Sequence, residues 1–398
     1  MKTLFKGNSV MNVNLLFEPF RLGSLELKNR IVLPPLTRSR STQPGNIPND
    51  LMADYYAQRA SAGFMITEGA QIEPRGQGYA WTPGIFTAEQ IEGWRKVTDS
   101  VHREGGKIFC QLWHVGRVSH RSLQPDGQPP VAPSAIRAKG VKVFVETAPG
   151  EGALADPDEP RTLSTGEVQE LVKLYVRAAR NAIEAGFDGV EIHSANGYLV
   201  NQFISEHTNH RTDQYGGSLR NRLRFLEEIV AAISEEVGAE RLGVRFAPLF
   251  ESTEGERVYL GLVESDPHES YLEAARILEQ MGVAYISIAE ADWDDASELP
   301  ERFYSALRGA FSGALIYAGR YTPEKALRML DAGYGDLFAF GKPFIANPDL
   351  PYRIRQGLPW NEVDPTTMYG GTDKGYVDYP TYDSQAASAP RIHEKVSD

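Results

Sequence analysis

The stretch GEVQELVKLYVRAARNAIEAGFDGVEIHS, residues 166–194, decides the fold. Over 166–185 the apolar residues recur at i, i+3 and i+4, the spacing of a helix that buries one stripe. Gly186 follows, and glycine closes a helix in the left-handed conformation at no Cβ cost. The chain then enters GVEIHS (189–194), a β-rich run. The same helix–glycine–strand order returns at Gly282 and Gly333, with further helical spacing over 219–237 and 268–281. Working outward, the other strand candidates are 31–36, 64–70, 107–114, 242–248, 284–290, 314–319 and 336–342, which makes eight. Strand and helix in alternation imply parallel pairing through right-handed crossovers. Eight such units predict an α/β fold, a (β/α)8 TIM barrel, over an open doubly wound sheet.

FEPFRLGSLELKNR (17–30) reads as a hairpin ahead of the first barrel strand, suited to plug the N-terminal end. The segment 115–165 is too long for a βα loop and rich in Pro and Gly. With VKVFVET (141–147) inside it, it reads as an excursion with its own strands near the C-terminal face. The expected organisation is a leader at 1–14, one barrel over 15–380 carrying that capping excursion, and a polar, loosely ordered tail at 381–398. Met11 is a candidate natural start.

Length alone, 398 residues, suggests two or three domains, but α/β barrels take about 250 residues or more as one. Acidic side chains outnumber basic ones 53 to 41, which argues against nucleic acid or an anionic membrane as partner. The lone Cys110 excludes a disulfide framework, and its apolar neighbours mark it as a core residue. The first residues lack the apolar stretch of a signal peptide, so the expected location is the cytoplasm. His207 and His210 have no cysteine or carboxylate cluster beside them, so no metal is expected. GEGALA (150–155) fits a loose dinucleotide pattern, yet it neither follows a strand directly nor opens a helix.

In a barrel, chemistry gathers where the strands end. There the chain places Thr37, Gly69, Gln111, Trp113, His193, Asn196, Tyr198, Arg245 and Trp293. Strands seven and eight end in Gly319-Arg320 and Gly341-Lys342, glycines that expose backbone N–H groups beside positive charge. They are either a phosphate site or ordinary turn glycines. FIANPDLPYRI (344–354) would add the extra helix, with Asn347 as cap and Pro348 at its first position. His193 and Asn196 are three apart, so one helical turn would put both on one side, where two neutral donors can grip one oxygen. Tyr198 follows as a proton source. The other reading of this stretch is a buried structural histidine with a capping asparagine. Arg245, mid-strand and without an adjacent acid, requires an anionic or polar partner. With Gln111 and Thr37 it outlines a hydrogen-bonding floor suited to a flat phosphorylated heterocycle.

These residues resemble the Old Yellow Enzyme family of FMN-dependent ene-reductases, over residues 16–380. Within it the chain looks most like the bacterial branch of N-ethylmaleimide, pentaerythritol tetranitrate and glycerol trinitrate reductases. The matching strings are LTRSR (36–40), QLWHVGR (111–117), HSANGYLVNQF (193–203), RTDQYGGSLRNR (211–222), AGRYTPEKA (318–326) and FGKPFIANPDL (340–350). The resemblance implies tightly bound, non-covalent FMN, with NADPH or NADH as reductant. It implies that Pro35, Leu36, Thr37, Gly69, Gln111 and Arg245 contact the flavin ring or ribityl chain. Backbone at Gly319, Arg320, Gly341 and Lys342 would hold the phosphate. His193 and Asn196 would bind the substrate's activating oxygen. Tyr198 would protonate Cα once hydride has reached Cβ, and Tyr79, Trp113, Trp293 and Tyr369 would wall the site. The implied substrates are α,β-unsaturated carbonyls, imides and nitroalkenes, with nitrate esters besides, and the implied assembly is a monomer or homodimer. Two positions depart from relatives: Lys342 stands where many have arginine, keeping the charge without the planar grip, and Asn196 where some bacterial relatives have histidine. Two other functions are open to such a barrel: a hydrolase using Glu191 and Glu290 as paired acids, and a flavin carrier without catalysis.

Overall fold

The computed structural model describes residues 12–249, 266–290 and 298–388. Eight parallel strands close on themselves: β1 Ile31–Leu33, β2 Phe64–Ile66, β3 Ile108–Trp113, β4 Gly189–His193, β5 Leu242–Phe246, β6 Tyr285–Ala289, β7 Ala314–Ala318 and β8 Leu337–Ala339. Neighbours pair in sequence order, β8 returns to β1, and all eight fall on the predicted runs. The barrel is therefore the predicted (β/α)8 architecture. Its major helices are α1 Asp50–Gln58, α2 Ala88–Arg103, α3 Thr165–Glu184, α4 Leu219–Val237, α5 Pro267–Met281, α6 Glu301–Ala310, α7 Pro323–Asp331 and α8 Leu350–Gln356. Their starts are fixed by side chains that satisfy otherwise unpaired N–H groups: Thr87 with Gln90 and Ser164 with Glu167 form capping boxes on α2 and α3. After α5 and before β6, Gly282 takes φ +68°, the left-handed turn that lets the chain reverse.

Period-two alternation along the strands sorts the barrel. On β3, Ile108, Cys110 and Leu112 face out and join the core under the helices, while Phe109 faces in. Cys110 is buried and burial pushes its thiol up to about 12, which leaves it inert at neutral pH. The interior then divides by height. Its N-terminal end is apolar, with Val32, Phe64, Phe109 and Ile316 packed against Leu22 and Leu27. Those two leucines come from the hairpin Phe20–Leu22 and Leu25–Leu27, which plugs the barrel as expected. Above this layer the inward positions turn polar: Gln111, Glu191, His193, Arg245 and Ser287.

The segment 115–165 carries the short parallel pair Val131–Ala132 and Arg161–Thr162 and the antiparallel hairpin Val143–Ala148 and Glu151–Ala155. GEGALA is thus one arm of a hairpin, with no helix behind it. Val141, Val143 and Val145 pack with Trp113 and Tyr198, so the excursion lies over the C-terminal mouth. Its end is tied down at Glu167, which meets Arg161 at 2.6 Å, and a network leads inward from there to Glu73, which meets His114 Nε2 at 3.2 Å and Arg75 Nε at 2.9 Å. Arg75 continues to Glu167 at 3.5 Å, at the start of α3. Burial alone would raise the Glu73 carboxyl, but hydrogen bonds and charge from His114 and Arg75 outweigh it and hold the group at about 2. A depressed carboxyl contributes stability that is complete above its ordinary value of 4.5 and is lost as pH falls toward about 2. The contribution is about 3 kcal/mol. Urea unfolding between those two pH values is expected to show a steeper acid loss for the native chain than for Glu73→Gln; equal slopes would mean the network carries no such weight.

Two expectations are corrected. The extra helix divides in two, a short helix Gly341–Ala346 and α8, and Asn347 ends the first instead of capping the second. The reason is local: the Asn347 side chain is engaged by the Asn361 N–H at 2.7 Å and the Pro343 carbonyl at 2.8 Å, so Asp349 occupies the cap position of α8. The tail begins with a helix, Tyr382–Ser388, held by the Tyr382 N–H on Asp349 at 2.7 Å and by Arg353 on the Pro380 carbonyl at 3.1 Å. The proposed leader lies largely outside the described residues; of it, Asn12 caps a 3-10 turn, Val13–Phe17. Among the described residues no helix is long and apolar enough to cross a membrane, and no metal-holding cluster of His, Cys, Asp or Glu is present.

Candidate active site

Two cavities open at the C-terminal end of the barrel and share Pro35, Thr37, Asn196 and Arg245 as walls. The larger, about 550 Å³, runs from Leu36 and Arg245 to the ends of β7 and β8, where Gly319, Arg320, Gly341 and Lys342 line it. The smaller, about 150 Å³, lies between Gly69, Gln111, Trp113, His193, Asn196 and Tyr198. The sequence-predicted residues are thereby brought together, from strands on opposite sides of the barrel. Tyr369 borders the larger space, and Tyr79 stacks on Trp113 at 5.8 Å. Trp293 lies outside the described residues.

His193 ends β4 with its partner in register, Arg245 on β5. Burial first, and then the Arg245 charge, hold the imidazole well below its usual range, so His193 is neutral at pH 7. Its Nδ1 is buried without a hydrogen-bond partner among the described residues. Asn196 reaches the same space by a route different from the expected helical turn. It sits at φ +57°, followed by Gly197 at +74°, so a left-handed turn swings the chain around before the short helix Leu199–Ile204. Asparagine tolerates this conformation better than most residues. Tyr198 occupies the N-cap of that helix, nearly buried, with its ring edge-on to Trp113 at 5.1 Å and to His193 at 5.0 Å. Its hydroxyl lies 3.2 Å from that of Tyr79.

The floor is polar and buried. Gln111 donates through Nε2 to Glu191 at 2.8 Å, and Arg245 donates to Ser287 Oγ at 3.2 Å. Buried, with the Glu191 charge one layer below and Ser287 as its hydrogen-bond partner, the Arg245 fork has donors left to offer a ligand. Gly69 is required by shape: a Cβ there would stand 2.5 Å from the Trp113 ring. At the other end, Gly319 at φ +131° and Arg320 at +27° turn the backbone sharply after β7. Gly341 and Lys342 open the short helix after β8, where first-turn N–H groups lack an intrahelical acceptor. Two cations and a set of backbone donors beside a hydrogen-bonding floor suit a phosphate tethered to a flat ring.

Other residues shape the site that strand ends alone did not reveal. Arg38 bonds the carbonyls of Met368 at 2.9 Å and Gly375 at 2.7 Å, and Arg40 those of Thr372 and Thr367, each at 2.9 Å. The pair straps Met368 and Tyr369 across the larger cavity. Beneath them Glu68 accepts from the Arg38 and Ser39 amides, and burial, only partly offset by those bonds, lifts its carboxyl to about 7. Glu290 is a wall of the larger cavity, but its oxygens are committed to Tyr304 and Tyr321, each at 2.9 Å, and to Lys325 at 2.6 Å. Glu191 accepts from Gln111 and lines neither cavity, so among the described residues no second acid stands across either cavity from Glu290 to form the hydrolase couple.

Fold and site together define an FMN-dependent oxidoreductase barrel. Residues 15–361 match the NADH:flavin oxidoreductase / NADH oxidase family. A 12-oxophytodienoate reductase 1 of Oryza sativa subsp. japonica is 41% identical over 371 residues, covering 92% of each chain. The flavin oxidoreductase hxnT of Emericella nidulans is 41% identical over 393 residues, covering 92% of this chain and 97% of its own. Among solved structures, morphinone reductase in complex with tetrahydroNAD superposes with a TM-score of 0.87 at 48% identity, over 93% of this chain and 98% of that one. The Old Yellow Enzyme homologue of Zymomonas mobilis gives 0.83 at 40% identity, over 92% and 99%. The chain belongs to this family, the Old Yellow Enzymes, and is an FMN-dependent enzyme reduced by a nicotinamide nucleotide.

Proposed function

We propose that the chain reduces activated C=C bonds of α,β-unsaturated aldehydes, ketones, imides and nitroalkenes, and also nitrate esters, with NADPH or NADH entering the same site in turn. One observation carries the reading: neutral His193, Asn196 and the Tyr198 hydroxyl border one small compartment above Gln111 and Arg245. Bound FMN supplies hydride transfer, taken from the nicotinamide and passed to the substrate β-carbon. Everything else falls to the protein. His193 and Asn196 donate to the substrate's carbonyl or nitro oxygen and stabilise it most as negative charge develops there. Tyr198 gives its proton to Cα. Arg245 would balance negative charge on the reduced flavin, Thr37 would hydrogen-bond its ring, and Pro35, Leu36 and Gly69 would shape its bed. Arg320 and Lys342, with backbone at Gly319 and Gly341, hold the phosphate; lysine does so as a point charge. Tyr79, Trp113 and Tyr369 wall the substrate, with Trp293 as a further wall. The reading takes the enzyme as cytoplasmic, a monomer or homodimer, without nucleic acid or membrane partners.

The purified protein is expected to show a flavin absorption band that bleaches under anaerobic NAD(P)H and returns on adding cyclohexenone. A band that bleaches but does not return with any enone, imide or nitroalkene would overturn the substrate class.

A further inference from the structure

Among the described residues, the polar half of the barrel interior holds an acid that lines neither cavity. Glu191 on β4 is fully buried, two residues before His193 on the same inward face. Its row across the sheet reads Gln111 on β3, Glu191 on β4, Gly243 on β5 and Tyr285 on β6. The Gln111 amide donates to Glu191 Oε1 at 2.8 Å. Gly243 keeps the row open: a Cβ there would stand 2.0 Å from Tyr285 Cζ, so only glycine lets that ring lie across β5. Burial raises the Glu191 carboxyl above its usual range, while the Arg245 charge, the Gln111 amide and the Tyr285 hydroxyl each favour its charged form. The Tyr285 hydroxyl and Glu191 Oε2 are both buried without a hydrogen-bond partner among the described residues. One layer above, Arg245 carries a positive charge that acts on Glu191.

A glutamine amide has a donor end and an acceptor end. With Nε2 committed to the carboxylate, Gln111 is left with Oε1 for the cavity. Arginine, by contrast, offers donors only. The floor is therefore an ordered pair, an acceptor at Gln111 and a cation at Arg245. It matches a ring N–H next to a carbonyl that gains negative charge on reduction. We propose that Glu191 is a positioning residue for the flavin: it fixes the orientation of the Gln111 amide and opposes the charge of Arg245. The proposal rests on Gln111 and Arg245 being the contacts of the flavin's pyrimidine edge.

Two readouts on the holoenzyme test it, neither of them turnover. Glu191→Gln keeps the shape and removes the charge, so Arg245 is less opposed and reduced FMN gains over oxidised FMN about tenfold. For a two-electron couple that is a positive shift of about 30 mV in midpoint potential. The loss of a fixed Gln111 orientation is read as weaker binding of oxidised FMN, followed by flavin fluorescence. That second effect is expected to vanish in a Gln111→Ala background, while the potential shift persists, because the two effects run through different neighbours. Tyr285→Phe leaves the carboxylate in place and withdraws a hydroxyl that supports its charge. A smaller shift of the same sign is expected, which keeps the test available if the barrel rejects an amide at position 191. Unchanged potential and FMN affinity in both variants would overturn the role of Glu191 and leave the flavin placement standing. Unchanged FMN affinity in Gln111→Ala alone would overturn the flavin placement and the proposal with it.

Discussion

His193→Ala combined with Asn196→Ala is expected to abolish tight binding of phenols, whose phenolate oxygen mimics the charge that develops on a reduced enone. The two donors share a compartment of about 150 Å³ with the Trp113 and Tyr198 rings. A hydrogen bond to a charged group contributes about 1.5–3 kcal/mol. Losing two should weaken phenol binding about 10²–10⁴-fold. Each donor is also expected to matter about 10²–10³-fold for the rate of the enone half-reaction, the range for removing one donor from a preorganised oxyanion site. Because burial and Arg245 keep His193 neutral, its contribution comes from a hydrogen bond and not from an imidazolium charge. Lowering the pH from 8 to 6 should then give no gain in affinity for a fully ionised phenol, the window in which an unperturbed histidine would charge. Charge-transfer titrations measure both effects. Unchanged affinity in the double variant would place the oxygen site elsewhere in the cavity.

The barrel was legible because strands buried on both faces read as near-continuous apolar runs. The site was legible for the complementary reason. Gln111 and Arg245 interrupt such runs at inward positions, and a polar side chain there needs a partner. Glu191 was visible in the same way, but alternation places it below the cavity floor, as a support and not as a hydrolytic acid. What stayed hidden depends on contacts distant in sequence or on single backbone angles. Arg38 and Arg40 stand in a polar LTRSR string, and nothing local says that they grip carbonyls about 330 residues on. Asn196 was placed on the correct side for the wrong reason, since a left-handed φ does the work assigned to a helical turn. The split of the helix at Asn347 follows from Asn361, fourteen residues later, which competes for the side chain that spacing assigned as a cap.

Tyr198→Phe is expected to separate the two half-reactions. The Tyr198 ring is fixed on three sides: its own backbone starts the helix Leu199–Ile204, and its edge meets both Trp113 and His193. Phenylalanine keeps all of this packing, so the cavity should hold its shape and substrate its pose. Only the proton is lost. General acid catalysis contributes about 10²–10⁴-fold, and the enone half-reaction should slow by that much. Hydride uptake from NAD(P)H involves no proton from this residue and should proceed at nearly the native rate. If Tyr198 is the donor, the hydroxyl pair offers a way to restore its proton between turnovers. Tyr198 is nearly buried, but its oxygen is 3.2 Å from that of half-buried Tyr79, which gives a short path for a proton from the mouth of the barrel. Stopped-flow traces of the two half-reactions decide the matter. Equal slowing of both would assign Tyr198 to nicotinamide and substrate binding, and no slowing of either would move the proton source to another group.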